Sequence, residues 1–66
     1  MALGWQLVRL RRARGLKQWQ LEELSGLNRS YIAGIERADR NVGMVSIFKL
    51  ARGLDVHPAE LMDSIL

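Results

Sequence analysis

Residues 18–37 read QWQLEELSGLNRSYIAGIER, and the way their apolar side chains are spaced decides the fold. Leu21 and Leu24 stand at an interval that returns to one helical face, and Gly26 follows where a left-handed backbone would end that helix. A second helix then has its start signal. Asn28 is a good N-cap, because its side-chain oxygen can accept one of the unpaired N–H groups of a first turn. Ile32 and Ile35 give this later helix an inward stripe, and the polar segment Ala38 to Gly43 closes it with turn chemistry. The reading is of two helices of about two turns each, pivoting on Gly26 and crossing steeply, with Leu27 plugging the angle between them.

Working outward, Leu3, Leu7 and Leu10 repeat at i, i+4, i+7 until Gly15, which predicts a helix before the central pair. After it, a helix is predicted over about Met44 to Leu54. Met44, Ile47, Leu50, Ala51 and Leu54 form its inner side, Val45, Ser46, Lys49 and Arg52 its outer side, and Asp55 its end. Pro58 suits the first position of a last helix over 58–66, where Glu60 complements the helix dipole. No segment alternates with period two. The expectation is an all-α domain of five short helices packed orthogonally, with residues 1–66 as one unit, because such short helices cannot make long coiled-coil seams.

Sixty-six residues leave a thin stability margin, and with no cysteine and one histidine neither disulfides nor a Cys/His zinc site can supplement it. Packing, or packing plus a second subunit, must suffice. Ten Lys and Arg against seven Asp and Glu give a net charge of +3. Arg9, Arg11, Arg12, Arg14 and Lys17 all precede the first acidic residue, Glu22. Such a run is either a solvated face or a phosphate-facing one. No apolar run is long enough to span a membrane, and the opening MALGW lacks the basic-then-apolar order of a signal peptide, so a cytoplasmic location is expected. Catalysis finds no support. Glu22 and Glu23 point about 100° apart on a helix and cannot converge on one bond. His57, before Pro58, reads as a turn residue, and no Ser/His pair, metal cluster or glycine-rich phosphate loop can be assembled. No cofactor, metal or small-molecule ligand is expected.

The steep crossing of the central helices leaves the first turn of the later one protruding, and its residue types suit the major groove of duplex DNA. Arg29 can pair bidentately with guanine, Ser30 can donate or accept, and Tyr31 offers a hydroxyl and an apolar ring for a phosphate or a thymine methyl.

Three blocks extend this over nearly the whole chain: RRARGLKQWQLEELSGL at 11–27, NRSYIAGIERADRN at 28–41 and IFKLARGLDVHPAEL at 47–61. In order and spacing they resemble the helix-turn-helix regulators related to lambdoid phage repressors and Cro (XRE type), and most of all the controller proteins of restriction-modification systems. The resemblance implies a five-helix DNA-binding domain with its motif at about 18–37. It places Asn28, Arg29, Ser30 and Tyr31 on base-reading positions. Gln18, with neighbouring Lys17, falls on a phosphate contact at the start of the first motif helix, and Arg40, Asn41 and the Gly43 backbone fall in a phosphate-touching loop. Arg11 and Glu36 match an ion pair that ties the first helix to the end of the third. Three positions depart from the pattern. Glu22 replaces the small residue, usually alanine, at the closest approach of the motif helices, Ala38 replaces a usual glycine, and Val42 stands where proline is common.

On the last helix Met62 and Leu66 are offset from Leu61 and Ile65. The second stripe, with Phe48 and with Ile65 counted in the contact, is the expected interface to a second copy. Of the tryptophans, Trp19 is expected to pack on apolar neighbours, and Trp5 to cover the core edge or meet another chain. The functional expectation is a homodimeric regulator on a pseudo-palindromic operator, activating or repressing, with RNA polymerase as a further partner. The alternative is an antitoxin-like protein-interaction module whose DNA binding is secondary.

Overall fold

Five α-helices organise residues 2–38 and 42–62, the residues that this computed structural model describes: α1 (Ala2–Ala13), α2 (Gln18–Ser25), α3 (Arg29–Glu36), α4 (Met44–Leu54) and α5 (Ala59–Met62). The all-α, five-helix expectation is met, and no strand occurs among the described residues. The helix ends follow local chemistry. Gln20 reaches back so that its Oε1 accepts the Lys17 N–H at 2.8 Å, which fixes the start of α2. Gly26 ends that helix in the left-handed region (φ 77°), its N–H donating to the Glu22 carbonyl. Asn28 caps α3 through Oδ1, which accepts the Ser30 N–H at 2.7 Å. Asp55 closes α4 with φ 58°, and its carbonyl accepts from the Arg14 guanidinium at 2.9 Å.

The core is built by every helix. Leu3, Leu7 and Leu10 of α1, Leu21 of α2, Ile32 and Ile35 of α3, Ile47, Leu50, Ala51 and Leu54 of α4, and Leu61 of α5 are all buried in one cluster. Helix α2 lies on α4 and α3, while α1 lies on α3 and α5. The α1–α3 contact is close at Gly4, where an added Cβ would stand 2.6 Å from the Ile35 carbonyl oxygen.

Several sequence expectations are corrected. Leu24 is 54% exposed; the residue that shares the buried face of Leu21 is Ser25, one helical turn on, because that edge of α2 sits against Gly53 of α4. Met44, expected in the core, is exposed, because the core covers α4 only from Ile47 onward, its first buried residue. Trp5 is 74% exposed and does not cover the core edge, and Trp19, expected to pack on apolar neighbours, is exposed too, at 45%. Met62 is half-buried against this chain's own core, so it is only partly available to a second copy. Ile65, Leu66, Arg40 and Asn41 lie outside the described residues. No helix among the described residues is long and apolar enough to cross a membrane.

Candidate nucleic-acid interface

The burial of Ile32 and Ile35 decides how α3 is presented. Anchored by these two side chains, and by partly buried Leu27 packed at the turn before it, the helix leaves its first turn outward: Asn28, Arg29 and Ser30 are all exposed. The turn itself is tied by the Leu27 N–H donating to Ser25 Oγ at 3.1 Å. Asn28 therefore serves α3 as a cap while standing beside Arg29 at its exposed end.

Tyr31 is placed differently from its three neighbours. It is half-buried against the core, and its hydroxyl lies 3.1 Å from Ser46 Oγ, which links α3 to α4. The ring thus contributes to the seat of the helix as well as to its surface.

At the other end of α3, Glu36 is held from two directions. Arg11 Nε donates to Oε2 at 2.7 Å and Nη2 to Oε1 at 3.1 Å, while Gln18 Nε2 donates to Oε1 at 2.9 Å. Arg11 spends a further N–H on the Leu16 carbonyl at 2.8 Å. The ion pair implied by the resemblance is formed, and Gln18 joins it. The amide of Gln18 is therefore directed at α3, so a phosphate contact by this residue would use its remaining groups. Lys17 beside it is exposed, and so is Gly43, the N-cap of α4.

The three departures from the family pattern each have a structural outcome. Glu22 turns its carboxylate to the start of α3, where Oε2 accepts the Arg29 N–H at 2.6 Å. Ala38 adopts a left-handed backbone with φ 64°. Val42 packs partly against the core in the place of a rigid proline.

The basic N-terminal run is used largely within the fold. Arg9 donates twice to Gln6 Oε1, at 3.0 and 2.8 Å, Arg11 is held by Glu36, and Arg14 bonds the Asp55 carbonyl and stands 3.7 Å from its carboxylate. Trp5, Val8, Arg9 and Arg12 line a shallow open cleft on the outer face of α1. No group of acidic, His or Cys residues able to hold a metal occurs among the described residues. Sequence reasoning missed the Glu22–Arg29, Gln18–Glu36 and Tyr31–Ser46 contacts. Each joins different helices, so its existence depends on crossing geometry that spacing along one helix does not carry.

Two short helices crossing at a left-handed glycine, with the first turn of the second one exposed, define a helix-turn-helix protein. The chain belongs to the helix-turn-helix family, whose model matches residues 7–61. Among solved structures it is similar to the restriction-modification controller protein C.AhdI from Aeromonas hydrophila, with 53% identity, a TM-score of 0.88 and coverage of 91% of each chain. It is also similar to the controller C.Esp1396I, solved bound to a 19 base pair DNA duplex: 32% identity, TM-score 0.85, covering 98% of this chain and 92% of that one. The control protein C.SmaI of Serratia marcescens is 40% identical over 52 residues, which are 79% of this chain and 62% of that relative. The chain thus spans less than two thirds of that protein's length.

Proposed function

We propose that this chain is a sequence-specific DNA-binding transcriptional regulator of the controller type, acting as a homodimer on a pseudo-palindromic operator. The observation that carries the reading is the exposed turn of Asn28, Arg29 and Ser30 on a helix anchored by buried Ile32 and Ile35. It is supported by the likeness to a controller solved on a DNA duplex. In this reading Arg29 pairs with the O6 and N7 of a guanine, and Ser30, Asn28 and the edge of Tyr31 contact neighbouring bases or phosphate. Lys17, Gln18, Arg40, Asn41 and the Gly43 N–H take phosphates, which position the helix without reading sequence.

One such helix reads only a few base pairs. Two copies related by a twofold axis read half-sites about 34 Å apart along one face of the duplex. Phe48, Met62, Ile65 and Leu66 are the residues assigned to that contact. The protein would act in the cytoplasm without catalysis, repressing or activating by occupying promoter DNA, where RNA polymerase is the further partner.

Selection of bound duplexes from a random pool tests the reading. The expected product is a palindrome with half-sites one helical turn apart, bound with a log affinity that falls steeply as log salt rises. No enrichment together with a flat salt response would overturn it, and a stoichiometric protein partner found in that case would establish the antitoxin-like alternative.

A further inference from the structure

Glu22 has no counterpart in the usual family pattern, and it touches the reading helix at its most sensitive point. Arg29 is the first residue of α3, so its N–H is one of the donors that a helix start leaves without an intrahelical partner. That end of the helix also carries the positive end of the macrodipole. Unoccupied, such donors form a ready seat for a phosphate. Here two are taken by side chains of this chain: the Ser30 N–H by Asn28 Oδ1 at 2.7 Å and the Arg29 N–H by Glu22 Oε2 at 2.6 Å. One of the two acceptors is a carboxylate. Glu22 is half-buried, and the bond holds its charge at the turn between the helices.

We propose that Glu22 is a specificity-determining residue: it fills the anion seat at the start of α3, so that backbone phosphate is excluded there, and it fixes the Arg29 backbone so that the side chain is presented to base edges. This deepens the DNA-binding reading above and rests on it. The energetic logic is a difference between two complexes. Binding to mixed-sequence DNA is almost entirely attraction to phosphate, so a fixed negative charge beside the reading turn weakens it. The operator complex also feels that charge, but gains base contacts from an arginine whose backbone is held in place. Glu22 thus gives up some overall affinity and widens the gap between right and wrong sequences.

The experiment compares the parent chain with Glu22→Gln and Glu22→Ala. Each is titrated with the duplex enriched in the pool selection and with mixed-sequence duplex of equal length, and the Arg29 amide is followed by NMR without DNA. Gln keeps an acceptor for the Arg29 N–H and removes the charge. Its Arg29 amide signal is expected to move less than in Glu22→Ala, while mixed-sequence affinity rises by about 2- to 5-fold, the scale of one screened charge near a phosphate. Enriched-duplex affinity rises less, because there the first turn of α3 faces base edges and not phosphate, so the ratio of the two affinities falls. Ala removes charge and bond together, so the amide signal moves and the ratio falls at least as far. Should Glu22→Ala fail to fold, as judged by its circular dichroism, Glu22→Gln carries the test alone.

An unchanged ratio in the folded variants, with the parent binding its enriched duplex normally, overturns the inference and leaves the DNA-binding reading intact. An Arg29 amide unmoved in folded Glu22→Ala overturns the positioning role. A parent chain without salt-dependent duplex binding overturns both the inference and the reading it rests on.

Discussion

Arg11 and Glu36, 25 residues apart, meet through two charge-assisted hydrogen bonds with side chains only 11% and 7% exposed. The fork of the guanidinium matches the two carboxylate oxygens, so the pair fixes orientation as well as distance between α1 and the end of α3. Burial makes the pair asymmetric in its consequences. Removing one partner strands the other charge, whereas replacing both with apolar groups of similar volume removes the desolvation cost too. Arg11→Ala is therefore expected to destabilise the fold by about 3 kcal/mol, and the double change Arg11→Met with Glu36→Leu by clearly less. Urea unfolding followed by circular dichroism measures both. A double variant as unstable as Arg11→Ala would show that the bonds to the Leu16 carbonyl and from Gln18, which it also breaks, outweigh the desolvation it relieves.

Ala38 sits in the left-handed region with φ 64°, after the C-cap Arg37 of α3, and its N–H donates to the Ile35 carbonyl at 2.9 Å. An L side chain there costs about 1–2 kcal/mol, while glycine costs nothing folded but loses more freedom on folding, about 0.4–1 kcal/mol. The difference favours glycine. Ala38→Gly is expected to stabilise the chain by roughly 0.5–1 kcal/mol, seen as a higher melting temperature. A lower one would mean that the Cβ of Ala38 makes a contact worth more than its strain.

Much of this was legible in the sequence wherever one helix alone determines the answer. The stripes Leu3-Leu7-Leu10 and Ile32-Ile35, the Asn28 cap and the left-handed stop at Gly26 are properties of a few consecutive residues, and the structure has them all. Leu24 and Met44 were misplaced because an apolar residue at a helical interval is buried only if another helix covers that angle and that height. The close seat of α2 at Gly53 brings Ser25 in and leaves Leu24 out. The same limit hid the work of Glu22. The resemblance shows that its side chain departs from the usual alanine, but only the crossing of α2 and α3 shows that the carboxylate lands on the Arg29 N–H. The exposed first turn of α3 was legible because it follows from the burial of Ile32 and Ile35 behind it.

Assembly is best tested at Phe48. Its ring is 52% exposed on α4, near Met44 and Val45, which are exposed too, so a charge there leaves the core untouched. Met62 is a poorer probe, since it packs partly on its own core and a charge would perturb folding and assembly together. Sedimentation of the parent chain is expected to show a dimer. Phe48→Glu should keep its helical circular dichroism and weaken dimerisation by at least about 10-fold in Kd, because a carboxylate would be buried without a partner. A parent chain that sediments as a monomer at all accessible concentrations removes the dimer from the proposal, and with it the palindrome.

Arg29 is where the proposed reading of bases and the placement of the helix converge. Its backbone is held by Glu22 and its side chain is exposed at the end of a helix anchored by Ile32 and Ile35, so truncating it should change contacts without changing the fold. Arg29→Ala is expected to cost about 1–3 kcal/mol on the enriched duplex, with discrimination relaxed at one base pair of each half-site. A phosphate-contacting residue behaves otherwise. Lys17→Ala should weaken binding about equally for all sequences and reduce the salt slope by about one ion. Titrations of both variants on both duplexes separate the two roles. Equal losses for Arg29→Ala on enriched and mixed-sequence DNA would assign this arginine to the phosphates, and base reading would then rest on Asn28, Ser30 and Tyr31.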